Sequence, residues 1–256
     1  MIHNMWMVSF FIIGTIFGSF YNVVGLRIPN GQSIIKPNSK CPRCGHDLKW
    51  YELIPILSFI FLGGRCRNCK EKISIMYPLI ELFCGILFMI SYYSYGFSLD
   101  LIIALIISSL LILIIVSDLT YMIIPDSFTI IAGVIVLIIQ FIKKGFLGGL
   151  VCLGYGFIAF ASLYLIMYIS SKIMHKETLG GGDIKLFFVV GLIFPPFMSL
   201  LVLGIASFIA LPISMLLLFK NREHIIPFGP FIVLAQLLLF FTKIDMSQIT
   251  NFIKSL

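Results

Sequence analysis

The chain has 256 residues and a formal net charge of +7, with 60% apolar and only 11% charged residues. Soluble domains carry about 25% charged residues, so this composition excludes an ordinary soluble domain and suits a surface that faces lipid. Half of the 18 Lys and Arg are Arg27, Lys36, Lys40, Arg43, Lys49, Arg65, Arg67, Lys70 and Lys72, and charge gathered in one loop in this way describes a membrane protein's orientation and gives no reason to expect nucleic acid.

A spanning helix needs about 20 mostly apolar residues, and the sequence offers about eight. The first runs from about Trp6 to Leu26. No Lys or Arg precedes Arg27 and no small-residue cleavage site follows the run, so it reads as a retained helix and not a signal peptide. A long polar segment follows, from Arg27 to Lys72. The next spans are about Ile73–Tyr93, Leu99–Ser117, Ser127–Ile142, Leu147–Ser171, a short Ile184–Phe197, Leu200–Phe219 and Ile225–Phe241. Lys243–Leu256 reads as a polar, amphipathic tail. There is no internal repeat and no low-complexity segment. The expected fold is therefore an all-α polytopic membrane protein in three parts: a first transmembrane helix (1–26), a cytoplasmic four-cysteine zinc loop (27–72) and a transmembrane helical core (73–256).

Short loops rich in Lys and Arg stay on the cytoplasmic side. With Arg27–Lys72 inside, the alternation of eight spans also puts Lys172, Lys176, Lys185, Lys220 and Arg222 inside. Lys143, Lys144, Lys243 and Lys254 are left outside. The bias is 9 + 5 = 14 against 4, both termini fall outside, and Asp118 and Asp183 fall on the same cytoplasmic face.

Within the polar segment, Cys41-Pro-Arg-Cys44 is followed 21 residues later by Cys66-Arg-Asn-Cys69. Two such knuckles read as a tetrahedral Zn²⁺ site, closed and therefore structural. Arg43, Arg65 and Arg67 favour thiolates. The alternative is two disulfides, which a reducing cytosol disfavours. His46 reads as exposed or as a donor behind the ligands. The apolar stretch Trp50–Ile60 is too short to span; it lies on the membrane surface or folds back on the bundle. Cys84 and Cys152 sit in apolar runs and read as small packed residues.

Acidic residues near membrane helices are costly and therefore suggestive, and the chain has only 11. Asp118 follows the third span, where the helix dipole disfavours negative charge. Asp183 follows Gly180-Gly181-Gly182, more glycines than a simple helix cap needs, giving room for close backbone approach. Asp126, after Pro125, reads as a helix N-terminal residue. Two converging carboxylates would divide the general base and general acid work of hydrolysis.

Together these residues resemble the type IV prepilin leader peptidases, also called prepilin peptidase/N-methyltransferases, a family of GxGD membrane aspartic peptidases. The likeness covers nearly the whole chain. It runs through Gly18-Ser19-Phe20-Tyr21-Asn22 with Arg27 and Pro29, the paired knuckles with Ile54-Pro55-Ile56-Leu57-Ser58 between them, and Tyr77-Pro78-Leu79-Ile80-Glu81-Leu82. It continues through Asp118 with Ile124-Pro125-Asp126, Gly180–Leu186 and Pro227-Phe228-Gly229-Pro230-Phe231. Gly63-Gly64 departs slightly from the pattern, where many relatives carry a bulkier first residue.

The resemblance implies an enzyme of the bacterial cytoplasmic membrane. Its implied activity is to cut the basic leaders of prepilin and pseudopilin substrates after glycine, at the cytoplasmic face. Asp118 and Asp183 would be catalytic, and Cys41, Cys44, Cys66 and Cys69 zinc ligands. N-methylation of the new terminus with S-adenosylmethionine is implied as well, although no glycine-rich nucleotide fingerprint marks a site for that cofactor. Glu52, Glu71, Glu81 and Asp126 are candidates for meeting the basic leader, with a helix–helix hydrogen bond as the alternative for Glu81. Two rival readings are a proton-relaying transporter and a non-catalytic scaffold docking through its zinc loop.

Overall fold

A computed structural model describes residues 2–175, 180–219 and 227–244, all as helices and loops apart from two isolated bridges. Lys176, Lys220, Arg222, Lys254 and most of the C-terminal tail lie outside the described residues. The chain forms two compact units, Met1–Tyr121 and Met122–Leu256.

The first unit packs α1 (Ile2–Arg27), α3 (Met76–Tyr95) and α4 (Leu99–Tyr121) against one another, and carries the four-cysteine segment between α1 and α3. That segment holds a 3₁₀ turn (Trp50–Leu53) and a single-turn helix α2 (Leu57–Phe61). In lipid every backbone group must be satisfied internally, which makes helices of these apolar runs. Hydrophobic attraction does not hold helices together there, so close packing must. α1 and α3 meet through small residues. A methyl added at Gly14 would stand 2.8 Å from the Gly85 Cα, and one added at Gly18 would stand 2.8 Å from the Glu81 Cα. Tyr21 donates to Ser109 Oγ at 2.8 Å and Asn22 to the Tyr77 carbonyl at 3.3 Å, tying α1 to both neighbours. The outer face of α1 leaves Ile12, Ile16 and Phe20 exposed. The sequence Gly96-Phe97-Ser98 turns α3 into α4. The Gly96 N–H closes α3 on the Tyr92 carbonyl at a φ of 55°, and Ser98 Oγ accepts the Leu101 N–H at 3.2 Å.

The second unit contains α5 (Asp126–Met174), α6 (Gly181–Ile193), α7 (Pro196–Phe219) and α8 (Gly229–Thr242). α5 is 49 residues long and breaks at Gly145, whose φ of 72° and ψ of −179° no helix contains. Its two arms are the predicted fourth and fifth spans. α6 packs on α5 so closely that a methyl on Gly191 would lie 2.6 Å from Ala159 Cβ, and buried Gln140 donates to the Leu192 carbonyl at 2.9 Å. α6 stops at Ile193 because Pro195 and Pro196 follow.

Among the described residues, five helices are long and apolar enough to cross a membrane: α1, α3, α4, α5 and α7. With α5 counted as two arms and the shorter α6 and α8 added, the eight predicted segments are all present as helices. One boundary is corrected. α4 continues past Ser117 to Tyr121, so Asp118 sits inside its last turn and does not follow the helix. Thr120 Oγ1 bonds the Val116 carbonyl at 2.7 Å, and Tyr121 OH accepts from Asn30 at 2.7 Å. These bonds carry the helix one turn beyond its apolar run.

Candidate metal centre and active-site acids

The two knuckles follow one backbone template. The Cys41 N–H donates to the His46 carbonyl and the Cys66 N–H to the Glu71 carbonyl. The Gly45 N–H returns to the Cys41 carbonyl and the Lys70 N–H to the Cys66 carbonyl, both at 3.0 Å. Each knuckle then closes with one antiparallel bridge, Lys40 with Asp47 and Arg65 with Lys72. The reversal needs positive φ: Gly45 supplies 70° freely, whereas Lys70 holds 59° against its Cβ.

This fold brings Cys41, Cys44, Cys66 and Cys69 together, with all four sulfurs within 4.8 Å of one another. Cys41 and Cys69 are 3.8 Å apart and Cys44 and Cys66 are 3.9 Å apart. A disulfide would need about 2.05 Å. Four sulfurs each about 2.3 Å from a central Zn²⁺ stand about 3.8 Å apart, which matches these two pairs. The His46 backbone N–H holds the Cys44 thiol down at about 6. The Glu71 N–H favours the Cys69 thiolate too, but desolvation and the crowded sulfurs outweigh it and push that thiol up to about 11. Four thiolates in so small a space call for a cation. The donor set therefore fits a structural metal.

His46 is outside the ligand set. Its Nε2 lies 3.2 Å from Glu52 Oε2, which also accepts the Lys49 N–H at 2.9 Å. The Glu52 carboxyl is held below the usual range by that Lys49 N–H and by His46. The sequence marked Glu52 only as a candidate for meeting a basic leader. Its spacing of three from Lys49, the acid position of a helix-start box, was the signal for its inward turn.

The stretch Trp50–Ile60 folds back on the bundle at one point: the Ile56 N–H donates to Glu81 Oε2 on α3 at 2.8 Å. Glu81 thus ties the backbone of the four-cysteine segment to α3, a loop-to-helix bond. Trp50, Leu57, Ile60 and Phe61 remain exposed.

Asp118 is 5% exposed, in the last turn of α4. Asp183, in the other unit, is 7% exposed in the first turn of α6. Gly180 is the residue before that helix, and a methyl there would stand 3.5 Å from Asp183 Oδ2, so the carboxylate bends back over the glycines. Gly181 is open, whereas a methyl on Gly182 would stand 3.0 Å from Ile124 Cβ. Asp126 differs from both. It opens α5, its side chain is 57% exposed, and both its oxygens accept from Lys185 Nζ at 2.7 Å. Glu71 is likewise paired, with Arg43.

The bacterial peptidase A24 N-terminal domain matches residues 12–95, and the type IV leader peptidase family matches residues 105–215. The prepilin leader peptidase/N-methyltransferase of Myxococcus xanthus (strain DK1622) is 40% identical over 190 residues, 73% of this chain and 56% of that one. The protein of the same name in Bacillus subtilis (strain 168) is 40% identical over 184 residues, 72% of this chain and 71% of that one. In Vibrio cholerae serotype O1 it is 30% identical over 260 residues, 93% of this chain and 97% of that one. No solved structure matches. Both family domains lie in order along one chain, and the Vibrio cholerae relative aligns over 93% of it; the chain belongs to the type IV leader peptidase family.

Proposed function

We propose that this chain is a multi-pass aspartic endopeptidase of the bacterial cytoplasmic membrane. It removes the leaders of type IV prepilin-like proteins after glycine and methylates the new N-terminus. The observation that carries the peptidase reading is the burial of Asp118 and Asp183. Of the six acids considered for chemistry or recognition, Asp126 and Glu71 are spent on ion pairs, and Glu52 and Glu81, although buried, accept backbone N–H groups of the four-cysteine segment. Asp118 and Asp183 are hidden at helix ends, and both fall within the stretch that matches the peptidase family. Burying a carboxylate in a membrane protein is costly, and such acids are kept for function.

In this reading the two acids work on one bond. One carboxylate, ionised, takes a proton from water as the water oxygen attacks the glycine carbonyl. The other, protonated, gives its proton to the departing amine as the C–N bond breaks. The open backbone at Gly181 supports the approach of an extended substrate strand. The Lys and Arg asymmetry supports a cytoplasmic face for this chemistry, with both termini outside. Cys41, Cys44, Cys66 and Cys69 would hold Zn²⁺, which supplies a rigid cross-link and no reactive position. S-adenosylmethionine, when bound, would supply the methyl group for the new terminal amine.

The test is a prepilin-like peptide spanning the leader junction, incubated with the membrane-embedded enzyme and S-adenosylmethionine, with both products weighed. Cleavage after glycine, abolished by Asp118→Asn and by Asp183→Asn, is the expected result. Near-normal cleavage by either variant overturns the pair.

A further inference from the structure

The short stretch between the two knuckles has two faces. Ser58, Phe59 and Leu62 turn inward, where they line a cavity shared with α1 and α3. A methyl on Gly64 would stand 2.9 Å from Phe59 Cζ, so the second knuckle rests on this inner face. Leu57, Ile60 and Phe61 stand at i, i+3 and i+4 on the opposite face of α2, and all are exposed, Phe61 at 83%. The 3₁₀ turn packs on α2 and repeats the arrangement. Trp50 and Leu53, three apart and therefore on one side of such a turn, are exposed, Trp50 at 78%, while Glu52 is buried. Large apolar side chains gathered outward on two packed turns mark an interaction surface.

The height of this surface is fixed by the bond from the Ile56 N–H to Glu81. Glu81 lies five residues after Met76, ~7.5 Å along α3 at the rise of an α-helix. Gly18 of α1, which packs on Glu81, lies nine residues before Arg27, ~13 Å by the same measure. α2 therefore starts beside a point inside the apolar length of both helices. Interfacial helices bury their apolar face at a similar depth, about 5–10 Å. Met76, Leu79 and Leu82 of α3 are exposed over the same height, so the apolar surface is continuous with a helix apolar enough to cross the membrane. Cations rim it: Lys49 precedes Trp50, and Arg65, Arg67, Lys70 and Lys72 follow Phe61, all exposed. Residues 27–72 carry nine Lys and Arg against three acids, Asp47, Glu52 and Glu71. Two of those acids are already committed, Glu52 to the Lys49 N–H and Glu71 to Arg43. An apolar face with an uncompensated cationic rim matches the headgroup–acyl boundary of an anionic leaflet.

We propose that Trp50, Leu53, Leu57, Ile60 and Phe61 are seated in the headgroup–acyl boundary of the bilayer that α1 and α3 cross, with the flanking Lys and Arg on anionic phospholipid headgroups. The four-cysteine segment is then held at two points, by Glu81 on α3 and by the leaflet itself. α2 is a shallow wedge in the membrane, and the metal-bound knuckles stand on it. The inference rests on α1 and α3 as membrane spans and is independent of the peptidase reading.

The experiment reconstitutes the full-length, zinc-loaded protein into phosphatidylcholine vesicles, with or without phosphatidylglycerol. Their acyl chains are brominated either near the headgroup or near the chain end. Bromine quenches a tryptophan that it can touch, and the chain has two, Trp6 and Trp50. Trp6→Phe leaves Trp50 as the reporter, and Trp50→Phe leaves Trp6, which reports on α1 itself. The expected result is a blue-shifted Trp50, quenched as strongly as Trp6 and more by bromine near the headgroup than by bromine near the chain end. Phosphatidylglycerol should increase that quenching, and high salt should remove the increase. Ile60→Asp combined with Phe61→Asp should lose most of the quenching at full zinc content. If these aspartates cost the zinc, Trp50 in the Trp6→Phe protein decides the matter alone. An unquenched Trp50 beside a quenched Trp6 overturns the proposal. So does quenching that appears only at high protein density or only with a prepilin-like peptide, because the face then belongs to a second copy or to the substrate. Equal quenching with and without phosphatidylglycerol overturns its electrostatic part. If neither tryptophan is quenched, the membrane placement of α1 falls as well.

Discussion

The metal centre and the proposed acid pair are built in opposite ways. All four sulfurs come from one segment of the first unit, positioned by short-range backbone bonds that repeat from one knuckle to the other. The two aspartates come from different units, one ending α4 and the other beginning α6. A centre of the first kind assembles wherever its segment folds. A pair of the second kind depends on how whole helices are placed. The two should therefore fail independently, and the sharpest way to break the comparison is to damage one and measure the other.

The largest effect belongs to the acids. Asp118→Asn or Asp183→Asn is expected to lower leader cleavage by at least ~10²–10⁴-fold, the range for a lost acid–base group. Zinc content should stay at the wild-type level, since the knuckles are positioned by backbone bonds within their own segment. Loss of zinc along with activity would mean that the aspartates act through the fold. The converse variant, Cys66→Ser, is expected to lose stoichiometric zinc and to expose residues 27–72 to protease. Structural zinc contributes binding energy of ~10–16 kcal/mol to such folds, so the local collapse should be complete while α4 and the second unit stay helical by circular dichroism.

The same contrast explains what could be read from the sequence. The cysteines were legible because C-x-x-C fixes both partners of a knuckle within four residues, and the spans because lipid imposes one length on every helix. Asp126 was legible as a helix N-terminal residue, but its Lys185 partner was not, since that ion pair joins α5 to α6 across the unit. The inward turn of Glu52 was missed because it depends on His46 and Lys49 folding around it. Asp118 was placed one turn too far out, because hydropathy ends at Ser117 whereas the helix is continued by hydroxyl bonds that hydropathy does not score. The proposed pairing of Asp118 with Asp183 has no local signature at all. It enters through the family likeness.

A smaller effect tests the helix packing beneath the metal segment. Gly18→Val places side-chain atoms where even a single methyl would stand 2.8 Å from the Glu81 Cα. Backbone cannot yield as a flexible side chain does, so α1 and α3 must separate. Overpacking of this kind costs ~1–3 kcal/mol. The expected outcome is a lower thermal midpoint for the whole protein, with the second unit's helices unaffected in hydrogen exchange. A midpoint equal to wild type would show that α1 slides past α3 without loss.

The smallest effect lies inside the metal segment itself, where the two knuckles share a backbone but not a residue. Gly45 and Lys70 occupy the same turn at φ 70° and 59°. A side chain in that conformation costs ~1–2 kcal/mol, so the second knuckle carries strain that the first avoids. Lys70→Gly should relieve part of it, and Gly45→Ala should introduce it. The net change for Lys70→Gly is reduced by the extra freedom glycine gains when unfolded, ~0.4–1 kcal/mol, leaving a modest gain. Competition with a zinc chelator is the sensitive measurement, because both substitutions act on the folded knuckle and neither alters a ligand. Slower zinc loss in Lys70→Gly and faster loss in Gly45→Ala would establish that the two knuckles are one design with unequal strain. Equal rates in both variants would mean that the metal, once bound, sets the backbone whatever residue stands at the turn.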